Sequence, residues 1–186
     1  MRLAFVGQQR SGKDTAGEIF TEWVNTRFFI NNRYTEETPE HYSLAAPLKV
    51  LVASAYGSIS RDHCQGVGRK LRDYDENIWA NILENEIVAV NPMWAYVSDV
   101  RYENEVAMLS KHNFHIIGIS SPNEERYLRS DVTPEEWATH EDHESERAAR
   151  AALLDAPYHV KNDGSMGKYR RKLTDLFEEL HSNGKS

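Results

Sequence analysis

The residues with the clearest chemical meaning lie near the N-terminus, in the stretch Gly7-Gln8-Gln9-Arg10-Ser11-Gly12-Lys13-Asp14-Thr15. Two glycines separated by four residues allow the backbone to turn its N–H groups inward, which makes a binding site for an anion at a helix N-terminus. Lys13 directly follows the second glycine and can reach the outer phosphates of a nucleotide. The pattern predicts a phosphate-binding loop, contributed by Gly7, Ser11, Gly12, Lys13, Asp14 and Thr15.

The segments on either side of this loop support the prediction. Residues 3–6 form an apolar run with the length of a buried strand, and apolar residues follow the loop at helical spacing: Ala16, Ile19, Phe20, Trp23 and Val24. A strand, a glycine loop, a lysine and a helix in this order are the context of a phosphate loop. The alternative is an ordinary glycine turn before a helix, with Asp14 favoured in the first helical turn by the helix dipole.

Asp14 departs from the usual motif, which has Ser or Thr at this position to bind Mg²⁺. A carboxylate here is tolerable if it holds the metal, directly or through water, or if it accepts a hydrogen bond from a second substrate. Asp99 is a further candidate, because it closes an apolar strand after a phosphate loop, where a carboxylate linked to Mg²⁺ is expected. Asp14, Thr15 and Asp99 form the predicted magnesium site.

The composition excludes several classes of protein. The chain has 186 residues, of which 40% are hydrophobic and 27% charged, as is typical of a soluble globular protein. Its net charge of −7 disfavours nucleic-acid binding, which relies on basic surface. The single cysteine, Cys64, excludes an internal disulfide. Since the first strand begins within three residues and no apolar run could cross a bilayer, neither a signal peptide nor a membrane segment is expected, and the cytoplasm is the expected location.

Strand and helix patterns alternate along the rest of the chain. Strands are predicted at residues 42–45, 94–98, 114–119 and 158–160, and helices after Pro47, near residues 78–87, just after Arg101 and near residues 167–181. Residues 26–40 are predicted as a surface loop, and residues 57–72 as a less regular basic segment. This alternation favours an α/β fold with a five-stranded parallel sheet, helices on both faces, and ligands at the carboxyl ends of the strands.

Residues 123–143 interrupt this alternation with seven acids and the two arginines Arg126 and Arg129. Thr133 and Pro134 have the pattern of a helix N-terminus, so the segment is predicted to be a small helical excursion from the sheet. Its position suggests a lid that closes over a bound nucleotide and delivers the two arginines to its phosphates. The alternative is a static surface excursion.

Residues 140–144 contain two histidines, but no further ligand for zinc is specified, and a polar hinge is preferred.

Several short motifs together resemble the phage-type deoxynucleoside monophosphate kinases, a family within the P-loop nucleoside monophosphate kinase superfamily. The matching pieces occur in order from residue 1 to about residue 166 and are Arg10-Ser11-Gly12-Lys13-Asp14-Thr15, Ala46-Pro47-Leu48-Lys49, Gly68-Arg69 with Ile78-Trp79, Asp99-Val100-Arg101-Tyr102-Glu103-Asn104-Glu105, His143-Glu144-Ser145-Glu146 and Asn162-Asp163-Gly164-Ser165. Asp14, which is unusual for a phosphate loop in general, is typical of this family. The family commonly has Pro at the position of Glu103.

The resemblance implies a single P-loop kinase domain over residues 1–186, with an acceptor-binding region near residues 45–85 and a lid near residues 123–145. The implied reaction moves the γ-phosphoryl group of ATP, with Mg²⁺, onto a deoxynucleoside monophosphate. Catalytic roles are implied for Lys13, Arg10, Asp14, Asp99 and Arg101. ATP would be held by the phosphate loop with Arg126 and Arg129. The residues implied to bind the acceptor are Lys49, Arg69, Trp79, Arg101, Glu105 and Arg147.

Two other functions fit the same loop. The first is a P-loop kinase for another small phosphorylated metabolite, such as dephospho-coenzyme A or a phosphomevalonate-like compound. The second is a nucleotide-binding switch or assembly ATPase, although no switch loop or arginine finger from a second subunit is evident. If the gene belongs to a phage, the expected location is the host cytoplasm. The sequence leaves open the base preference and whether the protein is a homodimer.

Overall fold

Five strands form one parallel sheet in the computed structural model, which describes residues 1–30 and 38–183. The strands are β1 (Arg2–Val6), β2 (Glu40–Tyr42), β3 (Ala95–Val100), β4 (Phe114–Ser120) and β5 (Tyr158–Lys161). Their spatial order is β2-β3-β1-β4-β5, and all pairs are parallel. The strand that leads into the glycine loop is therefore central, and the carboxyl ends of its two neighbours flank the loop.

Helices cover both faces of this sheet. They are α1 (Lys13–Ile30), α2 (Ala46–Tyr56), α3 (Arg61–Tyr74), α4 (Ile78–Val90), α5 (Glu103–Lys111), α6 (Asn123–Leu128), α7 (Pro134–Glu141), α8 (Glu144–Leu154) and α9 (Met166–Asn183). Within the described residues, no helix is both long enough and apolar enough to span a bilayer.

Two hydrophobic clusters lie on opposite faces of the sheet, because successive side chains of a strand point to opposite sides. In β1, Ala4 and Val6 pack with α2, α4, α5 and α8, whereas Leu3 and Phe5 pack with α1 and α9. All four side chains are fully buried. The predicted α/β fold, with a five-stranded parallel sheet and helices on both faces, is confirmed.

Two predicted boundaries near the first connection are wrong. Residues 26–30 continue α1 rather than starting a loop, while residues 31–37 of the predicted loop lie outside the described residues. The helix continues because its later turns are anchored on α9, where Trp23 donates a hydrogen bond to Glu178 at 2.8 Å. The predicted strand at residues 42–45 is instead β2, which ends at Tyr42, because the next residues bind the carboxylate of Asp99. Asp99 lies inside β3 rather than after it.

The basic segment at residues 57–72, predicted to be less regular, is largely the helix α3. Ser60 caps its N-terminus by accepting a hydrogen bond from the N–H of His63 at 3.1 Å, and Cys64, Val67 and Leu71 pack against the core. Glycine in a helix normally weakens it. The lack of a side chain at Gly68 instead allows close packing on α2, since a Cβ atom there would lie 2.9 Å from Cδ2 of Leu48.

Gly17 brings α1 close to β3, and this contact predicts a stability effect. A Cβ atom at Gly17 would lie 2.2 Å from Cε2 of Tyr96, whereas one at Gly66 of α3 would have no neighbour within 4 Å. Gly17→Ala is therefore expected to lower the free energy of unfolding by about 1–3 kcal/mol through overpacking. Gly66→Ala is the matched control and is expected to raise it by about 0.5–1 kcal/mol, as Ala normally does in a helix. Urea unfolding measures both, and equal effects would contradict this packing.

Candidate active site

The loop between β1 and α1 has a backbone that requires both of its glycines. Gly12 has φ of +106°, a conformation that residues with side chains rarely adopt, and a Cβ atom there would lie 2.6 Å from Nδ2 of Asn162. A Cβ atom on Gly7 would lie 2.3 Å from the carbonyl oxygen of Ile119 in β4. Asn162 also donates a hydrogen bond to the carbonyl of Ser11 at 3.0 Å. The loop is thus fitted closely against β4 and the segment that follows β5.

Lys13 is almost fully buried beneath this loop, with 7% of its surface exposed. Its Nζ donates a hydrogen bond to the carbonyl of Gln8 at 2.7 Å. The pKa of Lys13 is lowered from 10.5 to about 8, mainly by burial and also by the nearby Arg101 guanidinium, against the raising effect of the carboxylates of Glu146, Asp14 and Asp99. A buried ammonium held by this carbonyl of the loop is poised to exchange the contact for a phosphate oxygen.

Two adjoining cavities meet at the carboxyl end of the sheet. The loop cavity, of about 450 Å³, is lined by the glycine loop, with Arg10, Gly12, Lys13, Asp14, Thr15 and Arg129. The side cavity, of about 490 Å³, lies between α2, α3 and the end of β3, with Lys49, Arg69, Arg72, Trp79 and Glu105 in its wall. Six residues line both cavities: Gln9, Asp14, Arg61, Ser98, Asp99 and Arg101. The two spaces therefore share one boundary, as a donor site and an acceptor site must.

Asp14 lies on this boundary and is held by a short relay of side chains. Ser98 of β3 donates a hydrogen bond to Oδ1 of Asp14 at 2.8 Å, and Nε2 of His41 lies 3.2 Å from the same hydroxyl. The His41 ring stacks on Tyr96, with centroids 4.5 Å apart. This arrangement fixes one carboxylate oxygen of Asp14.

Asp99 has a different environment from Asp14, although both line both cavities. Its carboxylate accepts hydrogen bonds from the hydroxyl of Ser43 at 2.6 Å and from the N–H groups of Leu44 and Ala45, each at 3.0 Å. These donors form the turn between β2 and α2. Most of the acceptor capacity of Asp99 is thus used to anchor that turn, which forms part of the wall of the side cavity.

Arg101, directly after β3, is fixed by a buried carboxylate. Its Nη1 forms an ion pair with Glu146 of α8 and lies 3.3 Å from the hydroxyl of Ser145. Glu146 has no exposed surface and also accepts a hydrogen bond from the N–H of Gln9 in the glycine loop at 2.8 Å. This carboxylate therefore joins α8, Arg101 and the loop.

The predicted lid arginines have different surroundings. Arg126 is 3% exposed and forms a two-point ion pair with Glu141 of α7, with N–O distances of 2.9 and 2.7 Å. Glu141 in turn lies 3.3 Å from Nε2 of both Gln8 and Gln9. Arg129 lines the loop cavity and donates a hydrogen bond to the carbonyl of Arg10 at 3.1 Å. The α6–α7 segment is thus tied to the glycine loop.

The residues predicted to bind an acceptor are mostly brought together. Lys49, Arg69, Trp79, Arg101 and Glu105 all line the side cavity. Arg147, in contrast, lines neither cavity and bonds to Asp142 through Nη1 at 2.9 and 3.0 Å. Arg10 reaches outward to Asp131 at 3.1 Å, on an exposed part of the surface.

Two of these wall residues have notable polar groups. Glu105 is buried, and its carboxylate accepts the N–H groups of Arg101 at 2.8 Å and Tyr102 at 3.0 Å, which caps the start of α5. Burial nevertheless raises the pKa of Glu105 to about 7, against the lowering effect of those two hydrogen bonds. Trp79 is 4% exposed, and its indole N–H has no hydrogen-bond acceptor among the described residues.

The remaining predicted residues lie in the loop itself, and several neighbours were not predicted. Ser11 is buried beneath the loop, and Thr15 lines the loop cavity. Sequence reasoning assigned no role to His41, Ser98 or Glu146. Glu146 lies in the motif at residues 143–146, and its spacing of three residues from Ala149 is the signal that could have indicated an inward-facing position on a helix. Within residues 1–30 and 38–183, no group of three or more His, Cys, Asp or Glu side chains is arranged to hold a metal ion.

No family model matches the chain, and no curated protein matches it significantly in sequence. Solved structures do match along its length. Shikimate kinase from Aquifex aeolicus has a TM-score of 0.56 at 14% identity and covers 100% of this chain and 99% of its own. The protein TT1252 from Thermus thermophilus has a TM-score of 0.61 at 17% identity, covering 97% of both chains. Shikimate kinase from Acinetobacter baumannii, solved with shikimate, has a TM-score of 0.55 at 13% identity and covers 98% of this chain and 93% of its own.

At identities this low, the matches establish the fold alone. They span nearly the whole chain, so they support the overall α/β arrangement described above. The chain therefore has the α/β fold of the P-loop kinases.

Proposed function

We propose that the chain is an ATP-dependent deoxynucleoside monophosphate kinase, which transfers the γ-phosphoryl group of ATP to a deoxynucleoside monophosphate. The observation that carries this proposal is the shared boundary between the two cavities, which includes Asp14 and Arg101. A donor phosphate in the loop cavity and an acceptor in the side cavity would meet there. Transfer between phosphates is catalysed mainly by such positioning and by stabilisation of charge.

The charges of the side cavity support an anionic acceptor. The protein has a net charge of −7, yet this cavity has five cationic side chains in its wall: Lys49, Arg61, Arg69, Arg72 and Arg101. Two of its acids, Asp99 and Glu105, are already engaged with backbone N–H groups. The wall has four acids in all (Asp14, Asp99, Glu105 and Glu144), so its cationic side chains outnumber its acids by one, which supports a phosphate as ligand. Such an acceptor is already ionised at neutral pH and requires no strong general base.

We assign the roles within the site as follows. Lys13 and the N–H groups of the loop bind the β- and γ-phosphates, and Arg101 contacts the phosphoryl group in transfer. Arg10 and Arg129 contact ATP from the side of the lid. Lys49 and Arg69 hold the phosphate of the acceptor. Residues outside this core have supporting roles. Trp79 and Glu105 lie beside the acceptor, Arg126 belongs to the lid, and Arg147 lies in α8 next to the lid.

The residues at the boundary also fit a magnesium ion. Mg²⁺ is usually bound by one or two carboxylates together with phosphate oxygens and water, so a cluster of three protein ligands is not required. Asp14 and Thr15 would hold it, directly or through water, and Asp99 would contribute with the acceptor capacity left by its three hydrogen bonds. When bound, the ion would neutralise charge on the β- and γ-phosphates. The protein residues align the two substrates and exclude water.

A lid over residues 123–145 belongs to the same proposal, within a single kinase domain. The ion pair between Arg126 and Glu141 would let α6 and α7 move together. The contacts of Glu141 with Gln8 and Gln9 would couple this movement to the binding of a nucleotide at the glycine loop. Closure would keep water, a competing acceptor, away from the γ-phosphate.

A kinase for another small metabolite is the second candidate. It is favoured by the likeness to shikimate kinases over the whole chain, one of them solved with shikimate. Dephospho-coenzyme A and a phosphomevalonate-like compound are acceptors of this kind that carry the phosphate the cationic cavity requires. A nucleotide-binding switch ATPase is a further alternative, and it would need no acceptor at all.

A substrate panel separates these functions. ADP release from ATP and Mg²⁺ is measured with each of the four deoxynucleoside monophosphates, the ribonucleotides, dephospho-coenzyme A, phosphomevalonate and shikimate added singly. We expect strong stimulation by one or more deoxynucleotides. Stimulation by another metabolite alone would favour the second candidate, and acceptor-independent hydrolysis would favour the switch.

A further inference from the structure

The inner face of α8 carries a charged residue where an apolar one is expected. Ala149 and Ala152 of this face are buried in the core, and Glu146, three residues before Ala149, has no exposed surface. Removal of a carboxylate from water is costly unless the charge is paired and its oxygens accept hydrogen bonds. The carboxylate of Glu146 therefore requires a charged partner and hydrogen-bond donors inside the fold.

Both carboxylate oxygens of Glu146 are engaged, and each binds a different part of the candidate site. Oε1 forms the ion pair with Nη1 of Arg101, while Oε2 accepts the N–H of Gln9 at 2.8 Å. Arg101 follows β3, and Gln9 belongs to the glycine loop after β1. One side chain from a third element thus links the two strand ends that border both cavities.

Arg101 is held in a way that leaves part of its guanidinium available. Its side-chain hydrogen bonds to other described residues all use Nη1, with Glu146 and with the hydroxyl of Ser145 at 3.3 Å. A guanidinium has five N–H donors, so Nε and Nη2 remain for a ligand. The side chain is 30% exposed and lines both cavities.

We propose that Glu146 is a positioning residue for phosphoryl transfer, which fixes the guanidinium of Arg101 relative to the glycine loop so that its free N–H groups meet the phosphoryl group between the two cavities. This inference rests on the function proposed above. Glu146 itself contacts no substrate, because it is fully buried. It acts through Arg101, and the hydrogen bond that it accepts from the N–H of Gln9 fixes its carboxylate relative to the glycine loop.

A purely structural ion pair would have different consequences. It would contribute to the free energy of unfolding, and its loss would leave the turnover of the folded protein unchanged. A positioning residue affects turnover more than substrate binding, since a small displacement of a group that acts in the transition state can cost about 100-fold in rate. Kinetics and stability must therefore be measured on the same variants.

The test compares Glu146→Gln, Glu146→Asp, Arg101→Gln and the double variant Glu146→Gln/Arg101→Gln in the full chain. We expect Glu146→Gln to lower kcat about 10- to 100-fold, while KM for ATP changes by less than about threefold. Glu146→Asp keeps the charge and should recover part of the loss. The double variant should be about as slow as Arg101→Gln alone, because Glu146 acts through Arg101.

The matched control is Glu84→Gln in α4. Glu84 pairs with Lys111 at 2.8 Å and with His112 at 2.7 Å and lines neither cavity. Like Glu146→Gln, the substitution Glu84→Gln removes a paired carboxylate, so it should lower the free energy of unfolding without a change in kcat. If Glu146→Gln behaves in the same way, with full kcat and only a lower melting temperature, the proposal is overturned. Multiplicative losses in the double variant would also overturn it.

A second readout does not depend on any acceptor. The ¹⁵N resonances of arginine side chains report whether the Arg101 guanidinium is fixed, and those of the backbone report the N–H of Gln9. Glu146→Gln should shift the Gln9 signal and increase the averaging of the Arg101 signals, whereas Glu84→Gln should change neither. Unchanged spectra would overturn the proposal. If the wild-type chain transferred phosphate to no acceptor, the proposed function would fall, and these spectra would still decide whether Glu146 holds Arg101.

Discussion

Lys13→Ala is expected to lower kcat/KM for phosphoryl transfer about 1,000-fold, because it removes the one buried ammonium of the glycine loop. In the structure this ammonium donates a hydrogen bond to the carbonyl of Gln8 at 2.7 Å, and it can turn to a phosphate oxygen when ATP binds. Since burial lowers its pKa to about 8, the wild-type protein should bind ATP less tightly as the pH rises above about 8, where the lysine loses its charge. In Lys13→Ala this pH dependence should disappear.

The loss should be one of function and not of fold. Because the pKa of Lys13 is lowered in the folded state, its charge reduces the free energy of unfolding at any pH below about 8. This penalty is relieved between about pH 8 and 10.5, where the lysine loses its charge. Its removal should leave the melting temperature at pH 7 within about 5 °C of wild type. Lys111→Ala, which removes an exposed lysine, is the control and should retain activity. Near wild-type transfer by pure Lys13→Ala would remove the loop from the mechanism.

Asp99→Asn is expected to destabilise the protein as well as inactivate it. The carboxylate holds three donors of the turn that follows β2, and an asparagine would direct its NH₂ group at one or more of them. Hydrogen bonds to a charged group contribute more than neutral ones, so the free energy of unfolding should fall by about 2–4 kcal/mol. For a chain of this size the melting temperature should fall by about 5–15 °C. Transfer should fall about 100-fold, because the turn forms part of the wall of the side cavity.

This outcome distinguishes an anchoring role of Asp99 from a role confined to magnesium. A residue that only held the metal would, when changed, raise the concentration of Mg²⁺ needed for activity and leave stability intact. The control is Asp155→Asn, at an exposed aspartate that follows α8, for which little change in melting temperature is expected. A stable Asp99→Asn protein with a raised requirement for Mg²⁺ would contradict the anchoring role.

Much of the fold could be predicted from the sequence because the three central strands, β1, β3 and β4, are mostly buried and so have mainly apolar sequences. Residues 114–119 illustrate this, since they correspond closely to β4. The errors arose where tertiary contacts override local preference. Gly66 and Gly68 weaken a helix locally, yet α3 forms because Gly68 lets it pack closely on Leu48.

The site was predictable only where chemistry is encoded in adjacent residues. The glycine loop is local, so Lys13 and Asp14 could be assigned from their spacing alone. The anchoring role of Asp99 was not predicted, because its hydrogen bonds to the turn after β2 join residues more than 50 positions apart in the sequence. Glu146 was not assigned, because its partner Arg101 lies 45 residues away and the pair forms only when α8 packs on the sheet. Polar contacts between residues so far apart in the sequence depend on how the helices and strands pack.

The central claim is that the γ-phosphoryl group of ATP moves to a deoxynucleotide across the boundary between the two cavities. The most direct test follows ATP labelled in the γ-phosphoryl group, with Mg²⁺ and each deoxynucleoside monophosphate, and identifies the labelled product. The account predicts a labelled deoxynucleoside diphosphate formed in equal amount with ADP. Release of the label as inorganic phosphate alone, with every deoxynucleotide recovered unchanged, would contradict it.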